Sequence, residues 1–171
     1  MPPRLLLCAL LLTSCQLTNP HSDILPYIVE MTTAVGAPAS VGTSVNAAVG
    51  ADVLMDSGAN FTSLSYDLEL GVCVFEGAVA YSDAVARACL AQQALPTTVA
   101  LSPGAARSTF WSDKNNRGES KSFSFSTNLV FARPGTYTVL GFGKSWYGSR
   151  EQALGPAITV VDRTPRVITV N

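Results

Sequence analysis

The chain has 171 residues, of which 47% are hydrophobic and 13% charged. That length suits one domain of roughly 150 residues with short extensions, and the apolar share excludes a chain disordered throughout. Eleven basic residues against twelve acidic ones leave a formal charge of −1, which argues against nucleic acid as a partner, because phosphate binding draws on surplus Lys and Arg.

Met1-Pro-Pro-Arg4 is a short, positively charged start, and Leu5 to Leu12 is an unbroken apolar run. The run is too short for the ~20 residues of a membrane-spanning helix but suits the apolar region of a signal peptide, here residues 1–14. Leu12-Thr13-Ser14-Cys15 then resembles the lipobox of bacterial lipoproteins, an aliphatic residue and two small ones before Cys. The resemblance implies cleavage before Cys15 and a diacylglycerol thioether on its sulfur. It also implies an exported protein held by lipid on a bacterial membrane, facing periplasm or cell surface. Gln16 after the Cys favours the outer membrane where the envelope has one. Two or more acyl chains anchor stably where one is marginal.

Cysteine counting agrees with that reading. Removing Cys8 with the signal leaves Cys15, Cys73 and Cys89. Lipidation of Cys15 leaves one pair, so a Cys73–Cys89 disulfide is expected, with about 3 kcal/mol of stabilisation on the chain-entropy estimate. Residues 15–26, with Pro20 and Pro26, read as a tether that reaches at most ~40 Å when stretched.

From residue 27 to 162 the dominant period is two, the mark of strands with one buried face. Val29 and Met31 alternate with Glu30 and Thr32; Val41, Val45, Ala47 and Val49 follow. Leu64, Tyr66, Leu68 and Leu70 are expected on a buried face, with Ser63, Ser65, Asp67 and Glu69 on a wet one. Ser82-Asp83 and the run after it predict an N-cap and a short helix near 83–93, laid across a sandwich edge. Val99 with Leu101, Phe123 with Phe125, Thr136–Phe142 and Ala157–Asp162 supply further short strands. Asp113–Gly118 reads as a solvated hairpin loop. Residues 163–171 read either as a last strand or as a tail. About seven short strands separated by Gly, Pro and Asn turns suit an all-β, antiparallel two-sheet sandwich.

Phe131-Ala-Arg-Pro-Gly-Thr-Tyr-Thr-Val139 resembles the PGTYTV segment of polycystin-type and other bacterial Ig-like domains. That resemblance implies a Tyr on the penultimate strand and a last strand like Ala157–Val161. It concerns architecture and assigns no function.

Chemistry motifs are sparse. Gly143-Lys144-Ser145 lacks the earlier Gly of a phosphate loop. The Asp113–Gly118 stretch has Arg117 where a calcium loop needs oxygen. His21-Ser22-Asp23 are consecutive, whereas triad members converge from separate parts of a fold. With one His, no metal site and no cofactor are expected. A carboxylate-only hydrolase would have to draw on Asp52, Asp56, Glu69 or Glu76. The segment Lys144, Trp146, Tyr147, Arg150, expected in a loop between the last two strands, is the candidate binding site, because Trp, Tyr and Arg dominate binding hot spots. Trp111 and the polar residues after it are a weaker candidate. The expectation is a non-enzymatic envelope protein acting as a binding or structural module, with an envelope protein or a glycan as partner. The alternatives are a carbohydrate- or peptidoglycan-binding accessory domain and a carboxylate hydrolase.

Overall fold

The computed structural model describes residues 26–37, 40–55, 64–92, 94–113, 119–147 and 157–171. In chain order these form β1 (Pro26–Val35), β2 (Ser44–Met55), β3 (Leu64–Glu76), helix α1 (Asp83–Leu90) and β4 (Val99–Ser102). There follow β5 (Ala106–Asp113), β6 (Glu119–Phe131), β7 (Gly135–Tyr147), β8 (Ile158–Val161) and β9 (Arg166–Val170). One sheet has the order β1-β2-β6-β4; the other runs β5-β3-β7-β8, with β9 also paired to β7. Every pairing is antiparallel. This is the all-β, two-sheet sandwich that the alternation predicts, and it has the immunoglobulin-like architecture that the Phe131–Val139 resemblance implies. Two strands exceed the expected set: β5, whose ARSTFWSD run hides its alternation, and β9, which resolves residues 166–170 as strand rather than tail.

The inward faces make one core. Val45, Ala47, Val49, Ala51 and Val53 of β2 join Leu68, Leu70, Val72 and Val74 of β3, with Phe125, Leu129 and Phe131 of β6. Fully burying such side chains contributes roughly 1.5–3 kcal/mol each before chain entropy is subtracted. Tyr137 is buried against Phe131, ring centroids 4.6 Å apart, and its hydroxyl donates to the Arg133 carbonyl at 3.1 Å. A buried Tyr needs such an acceptor. Residues outside the core correct two expectations. A register shift between Ile28 and Glu30 makes Val29 the extra residue of a β-bulge, 59% exposed, while Met31 still packs on the core. Val41 lies in the turn before β2 and is exposed.

The outer edge of β7 is shared by two strands. β8 pairs with Phe142–Ser145 and β9 with Gly135–Val139. Five steps from Val161 to Arg166 stand against three from Phe142 to Val139, so the edge strand carries two extra residues there. Asp162 N–H still donates to the Gly141 carbonyl, and Asp162 Oδ1 accepts from Thr164 N–H at 2.8 Å. Gly141 N–H, beyond the last paired residue of β8, donates instead to Thr33 Oγ1 of the opposite sheet at 3.0 Å. A Cβ at 141 would lie 2.6 Å from that hydroxyl, so only glycine lets the sheets approach this closely.

Helix α1 starts where Ser82 Oγ accepts from Val85 N–H, with Asp83 in the first turn and Arg87 in the last to match the helix dipole. Eight residues cannot hold a helix alone. Cys89 is bonded to Cys73 of β3, Cα atoms 5.4 Å apart, and Val85, Ala86 and Leu90 pack on Leu140, Phe142 and Val161. The helix therefore covers the outer face of the second sheet and does not cross a sandwich edge. β5 and β6 belong to different sheets and do not pair as a hairpin; of the loop expected over 113–118, residues 114–118 lie outside the described ones.

Candidate functional site

Strand β3 runs between β5 and β7, and its register assembles the candidate site. Asp67 is opposite Phe110 on one side and Trp146 on the other. Two residues along, Glu69 is opposite Ser108 and Lys144, and Lys144 is in turn opposite Thr159 of β8. Directly opposite residues share a face, so these side chains form two rows on the outer face of the sheet. The next row, Ala106, Gly71 and Phe142, passes under α1, since Ala106 and Phe142 belong to the apolar cluster that also holds Cys89.

The burial of this face differs from the sequence expectation. Asp67 is 9% exposed and Glu69 4%, although strict alternation puts both in water. The physical reason is the interior position of β3, whose outer side is flanked by two strands and capped by long neighbours. Lys144 Nζ lies 3.3 Å from Glu69 Oε1 with 14% of its side chain exposed, and 5.2 Å from the centroid of the Phe142 ring. Gln92, just past the helix, donates from Nε2 to Glu69 Oε1 at 3.4 Å. Low-dielectric surroundings make such a pair costly to break, because removing one partner strands a buried charge. Phe110 is 57% exposed, and Trp146 is half-buried. The face thus offers aromatic surface beside buried, hydrogen-bonded charge.

Lys144, Trp146 and Tyr147 are not in a loop: β7 extends through Tyr147, five residues beyond the expected Phe142. Lys144 is held in an ion pair and not solvated. Arg150 and Cys15 lie outside the described residues. The register also unites the two segments singled out separately in the sequence, since Trp111 and Tyr147 are both partners of Tyr66. Phe110, Asp67 and Gln92 were missed by sequence reasoning. Only the exposed aromatic next to Trp111 offered a signal, and a strand had to be recognised there first.

The carboxylates weighed for hydrolysis stand apart. Asp52 is on the opposite sheet, where Ser122 Oγ donates to its Oδ1 at 2.6 Å. Glu76, at the end of β3, accepts from Thr98 Oγ1 at 3.1 Å and is roughly 23 Å along the strand from Glu69 at ~3.3 Å per residue. Asp56 lies outside the described residues. Among the described residues, no group of three or more His, Cys, Asp or Glu comes together as a metal site would need, and no helix is long and apolar enough to cross a membrane.

Fold and site together define an immunoglobulin-like sandwich with a helix stapled to one sheet. No family profile and no curated protein matches the chain. Among solved structures, a cohesin module from a family 33 glycoside hydrolase of Clostridium perfringens is similar over 86% of this chain and 98% of its own. Identity is 10% and the TM-score 0.34. That likeness lends this chain no partner and no residue role.

Proposed function

We propose that this chain is a non-enzymatic, lipid-anchored binding module of a bacterial cell envelope. The observation that carries the binding part is the outer face built on Phe110, Asp67 and Trp146, with the Glu69–Lys144 pair beside it. Sites on strands hold their geometry better than sites on loops, and aromatic side chains backed by a rigid sheet suit a binding hot spot. The anchor rests on Leu12-Thr13-Ser14-Cys15, and the Cys73–Cys89 bond is of the kind kept in oxidising, exported compartments.

The test is crosslinking on intact cells with the native lipidated chain, against an unrelated lipoprotein as control. The expected result is one envelope component captured above the control, and its loss in Trp146→Ala/Tyr147→Ala while thermal unfolding stays cooperative. Undiminished capture by that variant overturns the site. Mass analysis of the native product tests the anchor separately: a start at Cys15 with acyl chains supports it, and a soluble product beginning elsewhere removes it.

A second reading, a glycan-binding accessory domain, is favoured by the pairing of an aromatic platform with buried carboxylates on one face. It predicts that soluble glycan or peptidoglycan fragments quench tryptophan fluorescence, which a protein-binding face does not.

A further inference from the structure

A sheet ends in edge strands whose unpaired N–H and C=O groups can template another chain, and proteins protect such edges with short strands, bulges, prolines or covering groups. Among the described strands, three of the four edges are protected. β1 carries the bulge at Val29, and its Thr33 carbonyl accepts from Arg166 Nε at 2.8 Å. β4 has four residues and runs straight into Pro103. The β8–β9 edge is broken at Asp162–Pro165.

β5 is different. It pairs with β3 without a register break from Ala106 to Asp113, contains no proline, and hydrogen-bonds to no other described strand. It also carries Phe110, among the most exposed large hydrophobics of the described residues. Its sequence, Ala-Arg-Ser-Thr-Phe-Trp-Ser-Asp, is self-complementary about Phe110. An antiparallel copy centred there sets Phe110 against Phe110, Thr109 against Trp111, Ser108 against Ser112, and Arg107 against the acid at 113. Positions 107 and 113 have the same parity, so the Arg–Asp match occurs twice in the dimer, once on each side of the two-fold axis.

We propose that β5 is a homodimerisation edge, pairing antiparallel with β5 of a second copy about a two-fold axis at Phe110. Such an isologous contact uses one patch twice. Backbone hydrogen bonds supply the attachment and the Arg107–Asp113 matches set the register, as in strand addition generally. The result is one sheet continuous across two copies, with the Phe110–Asp67–Trp146 rows of both brought side by side. The inference is independent of the lipid anchor and of any envelope partner.

The test uses the full native chain in detergent. Sedimentation should show a concentration-dependent dimer. Arg107→Asp, and separately Asp113→Arg, should each raise the dimer dissociation constant tenfold or more, and the double exchange should restore it. Under a mild oxidant Phe110→Cys should form a covalent dimer, whereas Ser108→Cys should do so only when mixed with Ser112→Cys. A chain monomeric at all concentrations and giving no Phe110→Cys dimer overturns the proposal. A double exchange that fails to restore dimerisation overturns the register and the proposal with it. Loss of envelope capture in Trp146→Ala/Tyr147→Ala with dimerisation intact would separate the two ideas.

Discussion

Along β6, Ser120, Ser122, Ser124, Ser126 and Asn128 stand exposed in a line on the outer face of the β1-β2-β6-β4 sheet. At the corresponding place on the other sheet, Cys73, Leu140 and Phe142 are buried beneath a helix, and Glu69 is nearly as inaccessible. The two sheets share one core and similar backbones, yet along β6 one outer face is open to solvent, while under α1 the other is a second, smaller interior. What separates them is an eight-residue helix that cannot stand alone, held by one covalent bond and a patch of apolar contact. A face becomes an interior when the chain returns to cover it, and here that return also gathers Lys144, Glu69 and Gln92.

The contrast can be broken most severely at the ion pair. Lys144→Met is expected to destabilise by about 4 kcal/mol in denaturant unfolding, because Glu69 is left as a buried charge, while Glu69→Leu/Lys144→Met recovers most of the loss. A small effect of the single change would show that water reaches this face as freely as it reaches the other. Next in size, Cys89→Ala should cost about 3 kcal/mol and raise amide exchange in α1 before the rest of the chain. Exchange rising evenly through the sandwich would mean that the helix is not a separate cover. In the core that both faces share, Gly141→Ala should cost about 1–3 kcal/mol by forcing Thr33 and Val49 away; Thr33→Ser at the same contact should be milder. Smallest of all, Ser124→Ala on the bare face should change stability by no more than about 0.5 kcal/mol, and a larger loss would show that this face is covered too.

The same contrast explains what could be read in advance. Where one face is wet, as in SVNAAVGADV and SKSFSFST, alternation is clean enough to mark a strand, although β2 runs on to Met55 and β6 spans Glu119–Phe131, both beyond the expected residues. In GVCVFE both faces are apolar, so the pattern blurs and the expected β3 stops at Leu70, six residues short of Glu76. β7 continues five residues past the expected Phe142, so Lys144 and Trp146 lie on a strand and not in the expected loop. The helix was visible from Ser82, Asp83 and the residues after them, because capping is a local interaction. Asp67 and Glu69 were expected in water because alternation reports parity and not what lies on top.

Local chemistry in the sequence was sufficient for the all-β class and the Ser82-capped helix, since period and cap act over short range, while the expected pairing of Cys73 with Cys89 depended on the lipobox resemblance that sets Cys8 and Cys15 aside. Tertiary structure alone decided that α1 roofs a sheet, that Phe110 and Trp146 flank Asp67, that Gly141 leans on Thr33, and that β5 is left as the one unguarded edge among the described residues. Those outcomes depend on which distant strands become neighbours, and register between segments far apart in the chain is written in no single segment.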